Sequence, residues 1–255
     1  MRGLWILLWV SLLPLGCGGG GRPPSGALPV RDARASFSVV EDSIQDDPAI
    51  EAMVATFRAR MGEEIRQVIG ETTGMLSKAV PEGTLGNFAT DAMLWSANAH
   101  YPDPVHMALT NNGGLRVPIG AGPITLEQMY ELMPFENMLS VLVLTGSQVK
   151  VLCDELAERR GEPIAGFSFR IVSEGDSRVA QDILVGGVAL DPAAEYRLVT
   201  NDYMANGGDS PPILLSPVAR KDLPILLRDA FIDYVRHLGV VEPRLEGRIS
   251  GGIGG

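Results

Sequence analysis

After Asp47-Pro48, which suit a helix cap and first turn, the apolar residues Ile50, Met53, Val54, Phe57, Met61, Ile65 and Val68 recur at helical spacing. The pattern predicts one long amphipathic helix. A second helix is predicted from about Asn87 to Ala99, with Phe88, Ala92 and Met93 on one side. Val105 to Leu109 then runs apolar, like a strand aimed at Asn111. Thr125-Leu126-Glu127-Gln128 has capping-box form and opens a short helix that ends before Pro134. Met138 to Leu144 is a continuous apolar run of strand length, and Ser147 to Arg160 reads as a helix closed by Gly161.

The pattern then changes to strands: Phe167 to Val172, Asp182 to Val185 and Val188 to Leu190, the last two joined across Gly186-Gly187 as a hairpin. Tyr196 to Thr200 is a further strand, and Asp222 to Leu238 reads as the last helix, stopped by Gly239. Helices and strands interleave, but the Gly-Gly hairpin argues for a mixed sheet. The predicted class is therefore α+β, a mixed β-sheet flanked by helices.

Composition adds a leader and a tether. Residues 1–16 combine Arg2, an apolar run from Leu4 to Leu15 and the small Gly16 before Cys17, which is the form of an export signal of lipoprotein type. Lipidation at Cys17 would anchor the protein to a bacterial envelope membrane, facing periplasm or exterior; ordinary cleavage or a retained anchor are the other readings. Residues 17–45 are a Gly/Pro-rich tether, 46–240 the folded domain and 241–255 a Gly-rich tail. The other cysteine, Cys153, falls on the apolar side of its helix and reads as a core residue, with a bridge to Cys17 as the competing use. The 255 residues carry a formal net charge of −10, so the chain as a whole repels nucleic acid, although a local arginine could hold a small anion.

Four segments place polar or aromatic groups among glycines at predicted strand ends: 85–93, 110–116, 133–137 and 201–210. Asn111 to Arg116 is an amide-rich turn with one planar guanidinium, or a loop with a surface ion pair. Phe135 follows a proline and, alone, is a core phenylalanine. Tyr203 and Asp209 flank Asn206-Gly207-Gly208, where they are either a strand end and a turn cap or parts of a site. Together, two aromatic faces with amides and a carboxylate suit a flat heterocycle, whose stacking on such rings contributes about 1–3 kcal/mol per base.

In this order the four segments resemble the C-terminal, substrate-specificity domain of the 5′-nucleotidase family, which includes UDP-sugar hydrolases and cyclic-nucleotide phosphodiesterases. The resemblance runs from about residue 40 to about 240. It implies that Asn111 and Arg116 contact substrate, that Phe135 and Tyr203 clamp the base and that Asp209 contacts the ribose. One departure concerns an arginine that family members usually carry shortly before the Leu-Gly-Asn motif; here the stretch contains Lys78 and Pro81, and a point charge replaces a planar fork poorly. Gly86 and Asn87 are expected to shape and cap the following helix.

Full-length enzymes of this family carry an N-terminal metallophosphatase domain whose two metal ions activate water. This chain offers His100, His106 and His237 without the family's metal motifs, and no Ser/His/acid set in a recognisable arrangement. No catalytic residue, metal ligand or cofactor is therefore assigned to it, divalent metals being expected only on a partner phosphatase. Three functions follow: one half of a split nucleotidase, grouped with the hydrolases of nucleotide catabolism and working with a separately encoded metallophosphatase; a non-catalytic nucleoside- or nucleotide-capturing lipoprotein; or an interaction domain with a vestigial pocket.

Overall fold

The computed structural model describes residues 47–251, the side chains of 56–61 and 63 excepted. The expected signal segment, Cys17 and the expected tether lie outside the described residues. A boundary at Pro48/Ala49 divides the chain into two units, and everything discussed below from Ala49 onward belongs to the second. In chain order the elements are α1 (Pro48–Glu64), β1 (Val68–Thr72), α2 (Thr84–His100), β2 (Met107–Leu109), β3 (Gly122–Thr125), α3 (Leu126–Leu132), β4 (Met138–Thr145), α4 (Gly146–Glu158) and β5 (Ile164–Ala165). They continue with β6 (Phe167–Glu174), β7 (Ser177–Val185), β8 (Val188–Ala189), β9 (Glu195–Asn201), α5 (Asp202–Ala205), β10 (Ala219–Leu226), α6 (Leu227–Leu238), β11 (Val240–Val241) and β12 (Ile249–Gly251).

A five-stranded mixed sheet in the order β10-β4-β9-β2-β5 forms the centre. Its strands are antiparallel except for β2 and β9, which run parallel. The apolar run in β4 follows from burial on both faces. Leu139 and Val141 point into one cluster with α2, α3 and α6, while Leu142 and Leu144 point into another with α4, β6 and β7. Met107, Ala108 and Leu109 alternate between the same two clusters, as the period-two geometry of a strand requires. A three-stranded sheet, β11-β1-β3, and a four-stranded sheet, β12-β6-β7-β8, complete the unit.

The expected capping box is formed, and the structure adds a second. Thr125 and Gln128 close the start of α3, and Thr145 with Gln148 does the same for α4. Cys153 is fully buried on α4 as a free thiol, and burial pushes its pKa up, so it is a packing residue. The mixed α+β architecture agrees with the expected class, and the hairpin turns at Gly186-Gly187, both at positive φ.

Four details differ from the pattern-based expectation. The first helix ends at Glu64, and Val68 opens β1 because that segment pairs with β3 and β11. The apolar residues Ile50 and Met53 of α1 are 56% and 58% exposed, so its apolar spacing does not mark a fully buried stripe. Asp222 to Leu226 is strand rather than helix: β10 covers the edge of β4, Ser140 donates to Asp222 at 2.7 Å, and Pro224 lies on the outer strand, where proline is tolerated. The segment after residue 240, expected as a tail, contains two strands. β11 pairs with β1 and β12 with β6, while the Glu82 carboxylate accepts from the amides of Glu246 and Arg248.

Candidate functional site

The strand ends β2 and β9 lie side by side; β2 leads into the Asn-Gly-Gly turn, and β9 into the short helix α5 with its glycine turn beyond. At the end of β2, Asn111 is buried and Asn112–Gly114 forms a single 3₁₀ turn. The turn is braced on all sides. Glu162 accepts from the Asn112 amide at 2.8 Å, and Lys78 Nζ donates to the carbonyls of Leu115 and Asn112 at 2.8 and 3.3 Å. Burial raises the Glu162 pKa above its ordinary value, with the Asp209 charge adding to the effect, while the Asn112 amide and Arg159 work in the opposite direction.

At the end of β9, Asn201 caps the short helix α5 by accepting from the Met204 amide at 2.8 Å, and its side-chain amide donates to Thr110 Oγ1 at 3.2 Å. Tyr203 sits in the first turn of this helix. Its ring lies directly over Gly208: a β-carbon there would come within 2.3 Å of the ring, so glycine is required for the tyrosine to keep its place. Asp209 adopts a φ of +43°, unusual for a residue with a β-carbon, and is held by Arg159, whose Nη1 is 3.6 Å from its carboxylate. Arg159 also donates to the carbonyl of Ser210 at 2.7 Å.

The third wall is the segment between α3 and β4. Phe135 projects from it, with the Arg116 guanidinium 5.9 Å from its ring centre. Asn137 donates to Asp202 at 2.9 Å, which ties this wall to the Tyr203 turn. The result is a cleft of about 570 Å³ lined by Asn111, Arg116, Phe135, Tyr203 and Asp209, all five residues singled out from the sequence. Asn111 Nδ2 lies 3.4 Å from Asp209 Oδ2 across its floor. Phe135 and Tyr203 are 45% and 49% exposed, so about half of each residue stays open to solvent at the cleft.

Asn137 and Asn201 also line the cleft and were not singled out. Both fall within the segments 133–137 and 201–210, but a lone Asn in a turn reads first as turn chemistry. Lys78 is not among the lining residues; its ammonium is engaged with the Asn-Gly-Gly turn. Gly86 and Asn87 do not cap a helix, since α2 begins at Thr84 with Gly83 as its cap; inside it, Gly86 packs against Pro163, and Asn87 donates to Glu82 and to the Arg244 carbonyl, so both have structural duties. The histidines also have local ones. His100 contacts the Ser96 carbonyl, His106 accepts from the Arg197 amide, and His237 stacks on Trp95. Among the described residues, no group of three or more His, Cys, Asp or Glu is placed to hold a metal ion.

The cleft can therefore bind a flat, polar-edged molecule: two apolar faces, amide donors and acceptors, one guanidinium and the carboxylates of Glu136 and Asp209 line it. Comparison with known proteins agrees with the architecture. Residues 68–215 match the family described as 5′-nucleotidase, C-terminal domain. The chain is 27% identical to the trifunctional nucleotide phosphoesterase YfkN of Bacillus subtilis, over 88% of its own length but 16% of that protein. It is 27% identical to human 5′-nucleotidase, covering 83% of the chain and 42% of the relative. A 5′-nucleotidase precursor from Thermus thermophilus superposes with a TM-score of 0.71 at 33% identity, over 81% of this chain and 43% of that one. The chain thus spans less than half the length of these relatives. With the family match covering more than half its residues, it belongs to the 5′-nucleotidase C-terminal domain family.

Proposed function

We propose that this protein is an exported nucleoside- or nucleotide-binding specificity domain. In this reading the base lies between Phe135 and Tyr203, Asp209 meets the ribose hydroxyls, and Asn111 and Arg116 read the remaining polar edges. The observation that carries it is the pair of half-exposed rings facing one cleft whose floor is a buried Asn and a carboxylate. Stacking contributes about 1–3 kcal/mol per base, less than the roughly 4 kcal/mol of a millimolar complex, so the polar contacts of Asn111, Arg116 and Asp209 supply the remainder.

The domain acts in nucleotide catabolism by presenting its ligand to a separately encoded metallophosphatase, which supplies the hydrolysis. This part of the reading is supported by the names of the longer relatives, which are nucleotidases and phosphoesterases. A lipid on Cys17 would hold the domain at the envelope membrane. Among the described residues, no helix is long and apolar enough to cross a membrane.

Calorimetric titration of the full chain with adenosine, AMP and UDP-glucose, beside a Phe135→Ala/Tyr203→Ala double variant, tests the clamp. Saturable binding that disappears in the double variant is the expected result. Absence of binding at millimolar ligand overturns the capture role. Retained binding in the double variant removes the base clamp from it.

A further inference from the structure

Arg228, the second residue of α6, is only 7% exposed. Its charge is met by no carboxylate among the described residues. Instead Nη1 donates to the Met133 carbonyl at 3.0 Å, the guanidinium carbon lies 4.1 Å from the centre of the Tyr130 ring, and Nε has no partner. Withdrawing a guanidinium from water in return for one neutral carbonyl and one ring face is a poor exchange for stability alone. An apolar side chain of similar size would fill the place at lower cost.

The location of that carbonyl gives the arginine a use. Met133 closes α3, whose last carbonyls lack partners within the helix and carry its partial negative charge. The Arg116 amide takes the Leu132 carbonyl at 3.0 Å, and Arg228 takes the next one. Phe135 stands two residues further on. Beyond it, the Asn137 carbonyl accepts from the Leu227 amide at 2.8 Å. Two consecutive residues at the start of α6 thus grip both ends of the segment that carries Phe135. Tyr130 keeps the guanidinium plane in register for its bond.

We propose that Arg228 is a positioning residue for the cleft: by holding the Met133 carbonyl it sets the Phe135 ring and so the width of the space between Phe135 and Tyr203. The proposal rests on the nucleoside-binding reading of this cleft for its consequence, but the placement of Phe135 can be read without ligand.

The test uses the full chain labelled with 4-fluorophenylalanine, the Phe135 fluorine resonance being identified by its loss in Phe135→Ala. In Arg228→Met the Phe135 resonance moves or broadens while those of the distant Phe167 and Phe169 stay in place. Adenosine affinity falls about tenfold, the loss expected for a hydrogen bond from a charged group. Arg228→Lys, which keeps the charge and a donor, restores part of both. In the Phe135→Ala background, Arg228→Met lowers affinity by less than about twofold, since the two residues act as one unit. An unmoved Phe135 resonance in folded Arg228→Met, or an equal loss of affinity in both backgrounds, overturns the proposal. Should Arg228→Met not fold, Tyr130→Leu, at an exposed position, replaces it, with the same resonance shift expected and an unmoved resonance overturning the idea. If the parent chain binds no adenosine, the functional reading is lost, and the fluorine spectrum alone decides whether Arg228 sets Phe135.

Discussion

Two depressions on this molecule use the same kinds of side chain to opposite ends. One is the Phe135/Tyr203 cleft. The other, of about 290 Å³, lies where α2 and α6 meet the segment 240–248 and is lined by Asn87, Phe88, Asp91, Tyr234, Arg244, Glu246 and Arg248. In the second, Arg248 is nearly saturated: it donates to Asp91, Glu246, Thr90 and the Ile164 carbonyl, while its own backbone amide is held by Glu82. In the first, the Arg116 guanidinium makes one hydrogen bond, to the Gly113 carbonyl, and lies near a ring that is itself half exposed. Residue type does not separate a clasp from a binding site. The number of donors and faces left without a protein partner does.

The largest effect is expected where saturation is greatest. Arg248→Met leaves the partly exposed Asp91 and Glu246 without their cation and frees β12 from α2, and should cost about 2–3 kcal/mol in urea unfolding. Nucleoside affinity of the protein that remains folded should be unchanged. A loss below about 1 kcal/mol would mean that Arg248 does not clasp the C-terminal segment.

A smaller effect, confined to the cleft, is expected from Gly208→Ala. The new β-carbon would sit 2.3 Å from the Tyr203 ring, so the ring must swing away. Adenosine affinity should fall about tenfold, as for removal of one stacking face. Gly208 is not among the positive-φ residues, so the unfolding midpoint should shift little. Unchanged affinity in calorimetry would show that the ring does not depend on this close approach.

The smallest concerns Glu162 beneath the cleft. Its folded pKa is raised, so its ionised form is disfavoured by folding. The favourable contribution of the neutral acid is full below the unfolded value near 4.5 and is lost as pH rises through the folded value. Glu162→Gln keeps an acceptor for the Asn112 amide without the charge. The variant should therefore match the parent below pH 4.5 and become more stable than it at neutral pH. A variant that is less stable at neutral pH would show that the charge itself holds the turn.

Much of the site was legible because its parts are local. Asn111 to Arg116, Phe135, Tyr203 and Asp209 each sit within a few residues of a glycine or proline that interrupts an apolar run, and such interruptions are visible in one dimension. Arg228 and Arg248 were not legible. Each is one charged residue near a helix or in a polar segment, and only its distant partners, Met133 for the first and Asp91 for the second, give it a role.

The same division holds for the fold. Apolar periodicity and capping chemistry determined α2, α3, α4 and the Gly186-Gly187 hairpin, since those signals act over one or two turns of chain. Tertiary structure decided that 222–226 is an edge strand, that 68–72 leaves the first helix, and that 240–241 and 249–251 join sheets. Short strands gain their stability from partners: β12 exists because Phe169 to Ile171 offers it a free edge, and β11 because Glu71 and Thr72 do. It also decided how much of Phe135 and Tyr203 stays open, because exposure depends on what every other segment does not cover.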